Sequence, residues 1–315
     1  MTIDIVPLGI SSAVPAHERH LSSTALIREG RLLLFDCGEG TQFQMIAAGL
    51  KNPRIEAIFL THFHGDHFYG VMGLLATMGM QQRSEPVTVV GPEGLERTVR
   101  AVMSLSGHTP GFPLEFREIP PDFGHGIVYR HSDYRVEAHV LDHRIFTVGY
   151  RYQENDWPGR VDAERARQLG IREPRQFQAL QDGKSVTVAD GTVVEADQVI
   201  GPTRPGAAFA YVTDTRPCAG GVHLAREAAL VYHDATFAEE LRDRARETGH
   251  STAREAGEVA AKADADRLLL GHFSARYSDT RPLEKQARAE FAPAEAAEEL
   301  HSYTIPAYYS EASVG

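Results

Sequence analysis

A layered α/β fold, with helices packed outside sheet, is the class this sequence predicts. Five short apolar runs of strand length each lead into a histidine or an aspartate. Segments of helical pattern separate those runs, and elements of both kinds bury their apolar faces by packing in layers around a shared core. The 315 residues, 42% hydrophobic and 24% charged, suit an ordinary soluble globular protein of one large domain or two. These patterns leave the sheet topology open.

The elements follow in chain order. Ile55 to Leu60 reads as a buried strand that ends at Gly65, a turn residue. Helical patterns span Gly70 to Met80 and Gly94 to Ser104. Val136 to Leu141 is a strand that runs into Asp142 and His143. Residues 150–206 read as an excursion: Trp157-Pro158-Gly159 opens the segment, Gly201-Pro202 and Pro205-Gly206 close it, and Gly183 to Ala196 alternates as a hairpin around Asp190-Gly191. Phe209 to Val212 then leads to Asp214, Ala229 to Tyr232 to His233 and Asp234, and Leu268 to Leu270 to His272. Helical patterns cover Thr236 to Glu247, Thr252 to Ala263 and Leu283 to Leu300. Strands that carry polar residues at one end gather them on one edge of a sheet, where ligands bind. A single such residue is as readily a satisfied hydrogen-bonding group.

The densest of these ends is His62-Phe63-His64-Gly65-Asp66-His67, three imidazoles and a carboxylate within six positions. In extended chain His62 and His64 share a face, while Asp66 and His67, beyond the turn, serve a second position. Nitrogen and carboxylate donors suit zinc, and two zinc ions roughly 3.5–4 Å apart activate water between them. The alternative is a polar loop that happens to be rich in histidine.

Composition narrows the function classes. The formal charge of −11 argues against a surface that grips nucleic acid everywhere. Met1 to Ile10 has no basic flank before a sustained apolar stretch, so no secretory signal is expected, and no run reaches membrane-spanning length. Two cysteines, Cys37 and Cys218, cannot build a disulfide framework and fit a reducing cytoplasm. Within the acidic chain, residues 160–184 hold Arg160, Arg165, Arg167, Arg172, Arg175 and Lys184 among four acidic residues.

Taken together the motifs resemble the ribonuclease Z family, the tRNA 3′-processing endoribonucleases of the metallo-β-lactamase superfamily. The histidine cluster alone is shared across that superfamily. More specific are Phe35-Asp36-Cys37-Gly38-Glu39-Gly40-Thr41-Gln42, Tyr211-Val212-Thr213-Asp214-Thr215, His233-Asp234-Ala235-Thr236-Phe237, His250-Ser251-Thr252 and Gly271-His272-Phe273-Ser274-Ala275-Arg276-Tyr277. The resemblance implies a metallo-β-lactamase αββα sandwich with a protruding arm inserted between His143 and Asp214. Residues 1–149 and 207–315 would form the catalytic domain and 150–206 a flexible, tRNA-binding arm. By position, His62, His64 and His143 would bind one zinc and Asp66, His67 and His272 the other, with Asp214 bridging. Manganese is also compatible with this ligand set.

The resemblance also implies roles for other residues. Asp66 would accept the proton of the attacking water, and His250 would stabilise the phosphate and assist departure of the tRNA 3′-oxygen. Read locally, His250 could instead begin the helix that follows it. Asp234 stands where many relatives have glutamate and would orient and charge His250. Asp36 would support a ligand histidine, and His233 is expected to be structural. In the loop Pro15-Ala16-His17-Glu18-Arg19-His20, Pro15 and Arg19 match a family loop that contacts the tRNA end. There His17 and His20 replace a lysine and an asparagine and would meet phosphate only when protonated. Arg160, Arg165 and Arg172 are the candidate contacts of the arm. His108, His125, His131, His139, His223 and His301 have no motif context.

The function so implied is a zinc-dependent endoribonuclease that removes the 3′ trailer of tRNA precursors, as a cytoplasmic homodimer without a membrane partner. One rival is a phosphodiesterase or other hydrolase of the same superfamily acting on a small ester. Another is an RNA-binding module with structural metals.

Overall fold

The computed structural model of the protein describes residues 2–107 and 110–308. In chain order the first part contains β1 (Thr2–Gly9), β2 (Ser23–Arg28), β3 (Arg31–Phe35), α1 (Thr41–Ala47), β4 (Ile55–Phe59), α2 (Gly65–Phe68), α3 (Gly70–Met80), β5 (Val87–Pro92) and α4 (Leu95–Leu105). β6 (Leu114–Ile119), β7 (His125–Arg130), β8 (Tyr134–Val140) and β9 (Val148–Glu154) follow. The segment after β9 holds α5 (Ala163–Gln168), α6 (Pro174–Gln181), β10 (Val186–Thr187) and β11 (Val193–Val194). The last part contains β12 (Ala208–Val212), α7 (Ala219–Ala225), β13 (Leu230–Asp234), α8 (Arg242–Thr248), α9 (Ala253–Lys262), β14 (Leu268–Gly271), α10 (Arg281–Glu290), β15 (Ala294–Ala296) and β16 (Tyr303–Pro306).

Two compact units result, one of Met1–Gln153 with Ala208–Pro306, the other of Glu154–Ala207 with the chain from Ala307. The larger unit contains two seven-stranded mixed sheets, in the orders β16-β1-β2-β3-β4-β5-β6 and β15-β14-β13-β12-β9-β8-β7. Aromatic side chains join their inner faces. Phe35 of β3 lies 6.1 Å from the ring of Tyr150 on β9, and 5.6 and 5.7 Å from those of Phe209 and Tyr211 on β12. All four are fully buried. The outer face of the first sheet is closed by Met45 of α1, Val71, Leu74, Leu75 and Met78 of α3, and Leu95, Val99 and Met103 of α4. α7, α9 and α10 cover the second sheet. The result is the αββα sandwich of the metallo-β-lactamase fold.

Strand ends set the site. β3 and β4 run parallel, as do β12, β13 and β14, so their carboxyl ends lie on one edge within each sheet. There the loop after Phe35 meets α3: Cys37 N donates to the His67 carbonyl (2.8 Å) and Gly70 N to the Cys37 carbonyl (2.9 Å). A Cβ on Gly70 would lie 2.0 Å from the Gly38 carbonyl oxygen, so only glycine permits this approach.

Some expectations need correction. Pairing of β4 stops at Phe59, so His62 and His64 lie in the following loop, and Gly65 opens the short helix α2. The helix expected over Thr236 to Glu247 begins regularly only at Arg242, because Phe237 bridges to Thr252 and Thr236 turns its hydroxyl to Asp234. The helix expected over Leu283 to Leu300 stops at Glu290; Pro293 has no N–H to continue it, and β15 pairs with β14.

In the smaller unit β10 and β11 pair around the Asp190-Gly191 turn, with Gly191 at φ 88°. Its helices α5 and α6 went unread because their apolar stretches are short. Side chains cap them: Asp162 accepts from Arg165 N at 2.8 Å, and Glu173 and Gln176 form a capping box. Ala166, Ile171, Leu180, Val188, Val194 and Val199 give the unit its own core.

Candidate metal centre

The residues proposed as ligands and catalytic groups gather at one centre: His62, His64, His143, Asp214, Asp234 and His272 from strand ends or the loops beyond them, Asp66 and His67 from α2, and His250 from the turn after α8. Asp214 and His272 leave β12 and β14 with φ of 50° and 58°, and Asp36 leaves β3 at 56°. Left-handed backbone in non-glycine residues costs of order 1–3 kcal/mol and persists where surrounding structure enforces it. Here it turns Asp214 and His272 toward a common point and Asp36 to the outer nitrogen of His67.

That point is the carboxylate of Asp214. Its Oδ1 lies 3.1 Å from His67 Nε2 and 3.0 Å from His272 Nε2, while Oδ2 lies 3.5 Å from His62 Nε2 and 3.6 Å from His143 Nε2. His64 Nδ1 completes the second set, 2.9 Å from His62 Nε2 and 3.3 Å from His143 Nε2. Asp66 Oδ2 completes the first, 3.4 Å from His272 Nε2. The donor atoms of His62, His64, His143 and Asp214 lie within 4.8 Å of one another, as do those of Asp66, His67 and His272.

The outer nitrogens fix the tautomers. His67 Nδ1 faces Asp36 Oδ2 at 2.7 Å and His143 Nδ1 faces the Gly249 carbonyl at 2.6 Å; both partners only accept, so both Nδ1 atoms carry hydrogen. His62 and His272 turn Nδ1 to the hydroxyls of Thr61 and Thr236, each at 2.9 Å. In neutral rings the inward Nε2 atoms of His67 and His143 then bear lone pairs aimed at the Asp214 oxygens and at ring nitrogens of His272 and His64. Acceptor against acceptor at these distances is repulsive unless positive charge lies between. Burial opposes charge on His67, yet the carboxylates of Asp214, Asp66 and Asp36 hold its pKa well above the usual value. The donor set therefore fits divalent cations, and the fold and the two His/Asp groups together support metal binding.

Beside this centre His250 Nδ1 bonds to Asp234 Oδ2 at 2.9 Å. Burial opposes a charge on this imidazole, but the buried carboxylate raises its pKa to about 9. Asp234 is fixed in turn by Thr215 N (3.1 Å), Thr236 N (2.9 Å) and Thr236 Oγ1 (2.6 Å). His250 does not cap the next helix: Thr252 and Glu255 form that capping box. His233 is buried away from the centre, its Nδ1 on the Asp234 carbonyl at 2.8 Å.

A cleft of 720 Å³ opens over these residues, and Pro15 lines it. Arg19 does not; its guanidinium donates to the Tyr277 carbonyl and sits over the Phe273 ring. The histidines beside it are engaged within the protein as well, His17 with the Ala275 carbonyl (2.8 Å) and His20 with Glu299 (2.7 Å). The cations that line the cleft are Arg144, Arg244 and Arg276, which sequence reasoning missed. Arg144 directly follows His143 and Arg276 lies in the quoted stretch after His272, so proximity to a ligand was the available signal. Arg160, Arg165 and Arg172 are exposed on the smaller unit and, with Arg167, have no ion-pair partner among the described residues.

Comparisons with known proteins agree with this geometry. The family model described as the metallo-beta-lactamase superfamily matches residues 18–272. The ribonuclease Z of Salinibacter ruber is 55% identical over 97% of this chain and 95% of its own length. That of Halorubrum lacusprofundi is 44% identical over 92% of this chain and 93% of its own. Among solved structures, the short form of human tRNase Z (ELAC1) superimposes with a TM-score of 0.71 at 30% identity, covering 96% of this chain and 99% of that one. The chain belongs to the ribonuclease Z family of the metallo-beta-lactamase superfamily.

Proposed function

We propose that the protein is a tRNA 3′-processing endoribonuclease that hydrolyses one phosphodiester of a tRNA precursor. The products are a 3′-hydroxyl on the tRNA and a 5′-phosphate on the trailer. The observation that carries this reading is the division of Asp214 between two donor groups, beside the His250–Asp234 pair, in an arginine-lined cleft.

His62, His64 and His143 would hold one ion and Asp66, His67 and His272 the other, with Asp214 shared. Zinc is the ion proposed, with manganese as the alternative this donor set admits. Divalent ions bound there supply Lewis acidity, lowering the pKa of water and offsetting phosphate charge. Asp66 Oδ2 accepts from Ala13 N at 2.8 Å, which leaves Oδ1 to take the proton of the attacking water. His250, charged beside Asp234, uses its other nitrogen, Nε2, to donate to the departing 3′-oxygen. Arg144, Arg244 and Arg276 place positive charge where the flanking phosphates run.

The proposal extends to the rest of the chain. Residues 150–206 grip the tRNA body through Arg160, Arg165 and Arg172, so an acidic protein holds RNA through a few exposed arginines with a weak basic bias between positions 160 and 184. A homodimer is supported by α1, where Phe43 and Ile46 are 66% and 69% exposed one turn apart, an apolar face a second copy would cover. Two free cysteines are in keeping with a cytoplasmic location.

Incubating the protein with a precursor bearing a 3′ trailer, with and without chelator, beside a small chromogenic phosphodiester tests the reading. Chelator-sensitive release of an intact trailer is expected. Hydrolysis of the small ester with an untouched precursor would instead make this a small-molecule phosphodiesterase, and binding without cleavage would make it an RNA-binding module.

A further inference from the structure

Of the histidines without motif context, His108 lies outside the described residues, while the rings of His125, His139 and His223 come together on a face that does not line the cleft. His125 and His139 are direct partners in the antiparallel register of β7 and β8, with ring centres 5.4 Å apart. His223, on α7, has its ring centre 5.4 Å from His125 and 5.1 Å from His139. In the catalytic cleft the trio His62, His64 and His143 shows separations of 4.6, 5.2 and 5.2 Å. Three imidazoles bound tetrahedrally to zinc at about 2.0–2.1 Å would place their ring centres about 5 Å apart. The trio outside the cleft therefore has the ring spacing of a three-histidine metal site, but its donor nitrogens do not yet converge within 4.8 Å as those of the cleft do, so its rings must turn to close on an ion.

We propose that His125, His139 and His223 form a second metal site, distinct from the catalytic centre, for a divalent transition-metal ion of the zinc type. His139 is the anchored ligand. Its Nδ1 donates to the Val140 carbonyl at 2.9 Å, leaving Nε2 with the lone pair, the arrangement by which Gly249 fixes His143. Gly220 presses on it from α7: a Cβ there would lie 2.7 Å from His139 Nδ1 and 2.2 Å from the Val140 oxygen. His125 and His223 are exposed, so their rings turn freely to close the site.

An ion there ties the edge strand β7 and its neighbour β8 to α7. β8 leads into His143 and α7 follows Asp214, and the tie between them is expected to add to stability rather than to catalysis.

The test uses the full chain with its catalytic centre already loaded with zinc. Further Zn2+ is titrated calorimetrically into wild type, His125→Ala and His223→Gln, with melting temperature and precursor cleavage measured in parallel. Wild type should bind one more ion per chain than either variant and melt higher in excess zinc, while all three cleave precursor equally. Equal stoichiometry in the three proteins would overturn the proposal, as would loss of the extra ion in only one variant. Because both substituted positions are exposed, misfolding is not expected, and unchanged cleavage confirms its absence.

Discussion

Asp234 is fully buried and reaches the cleft only through His250, so it acts as a positioning residue rather than on substrate. His250→Ala is expected to lower kcat by about 10²–10⁴-fold while zinc content, read by elemental analysis, stays at the wild-type value. Asp234→Asn should lower kcat in the same direction, with Asp234→Glu recovering part of it. Loss of zinc in His250→Ala would show that residue to be a ligand instead. Behind the ligands, Asp36 fixes the His67 ring, and Asp36→Asn should weaken zinc binding about 10–100-fold in a competition assay with a chromogenic chelator. His62, His64, Asp66 and His67 were legible because their spacing is local. Arg144, Arg244 and Arg276 were not, since whether an exposed arginine faces the cleft is decided by the turns around it. The same tertiary context diverted Arg19 to the Tyr277 carbonyl.

Strands that end in a ligand were legible as apolar runs, and long amphipathic helices by their period. α3 begins and ends where the sequence places it, and α9 lies between its predicted bounds with Thr252 as cap. Failures arose where a long-range contact outweighed local preference, as in the Thr236–Asp234 bond that delays α8 and the β15–β14 pairing that ends the predicted C-terminal helix early. Thr252 does double work, capping α9 while ending the turn that carries His250. Thr252→Ala should cost about 1 kcal/mol in chemical denaturation. Because the turn is also loosened, its kcat should fall as well, and a stability loss with unchanged kcat would separate the cap from the catalytic turn.

For the whole molecule, the chain forms two compact units, and the proposed function gives them different tasks. The cleft belongs to the larger, and the smaller carries exposed arginines on its own core. Replacing Arg160, Arg165, Arg167 and Arg172 with alanine should raise KM for a tRNA precursor about tenfold or more and flatten its salt dependence, with small-ester hydrolysis unchanged. An equal loss of both activities would contradict that division. Sheet order was not legible in the sequence, because strand length and burial are the same for many arrangements. The resemblance supplied the αββα architecture, and the aromatic contacts between Phe35, Tyr150, Phe209 and Tyr211 give its physical basis.

The central claim is that two ions sharing Asp214 cut the tRNA precursor. Its most direct test is to titrate metal-free protein with Zn2+ while following release of the 3′ trailer. Cleavage should appear and saturate as the second equivalent per chain is bound, leaving a 3′-hydroxyl on the tRNA. Cleavage that is complete with one equivalent, or that persists in metal-free protein, would contradict it.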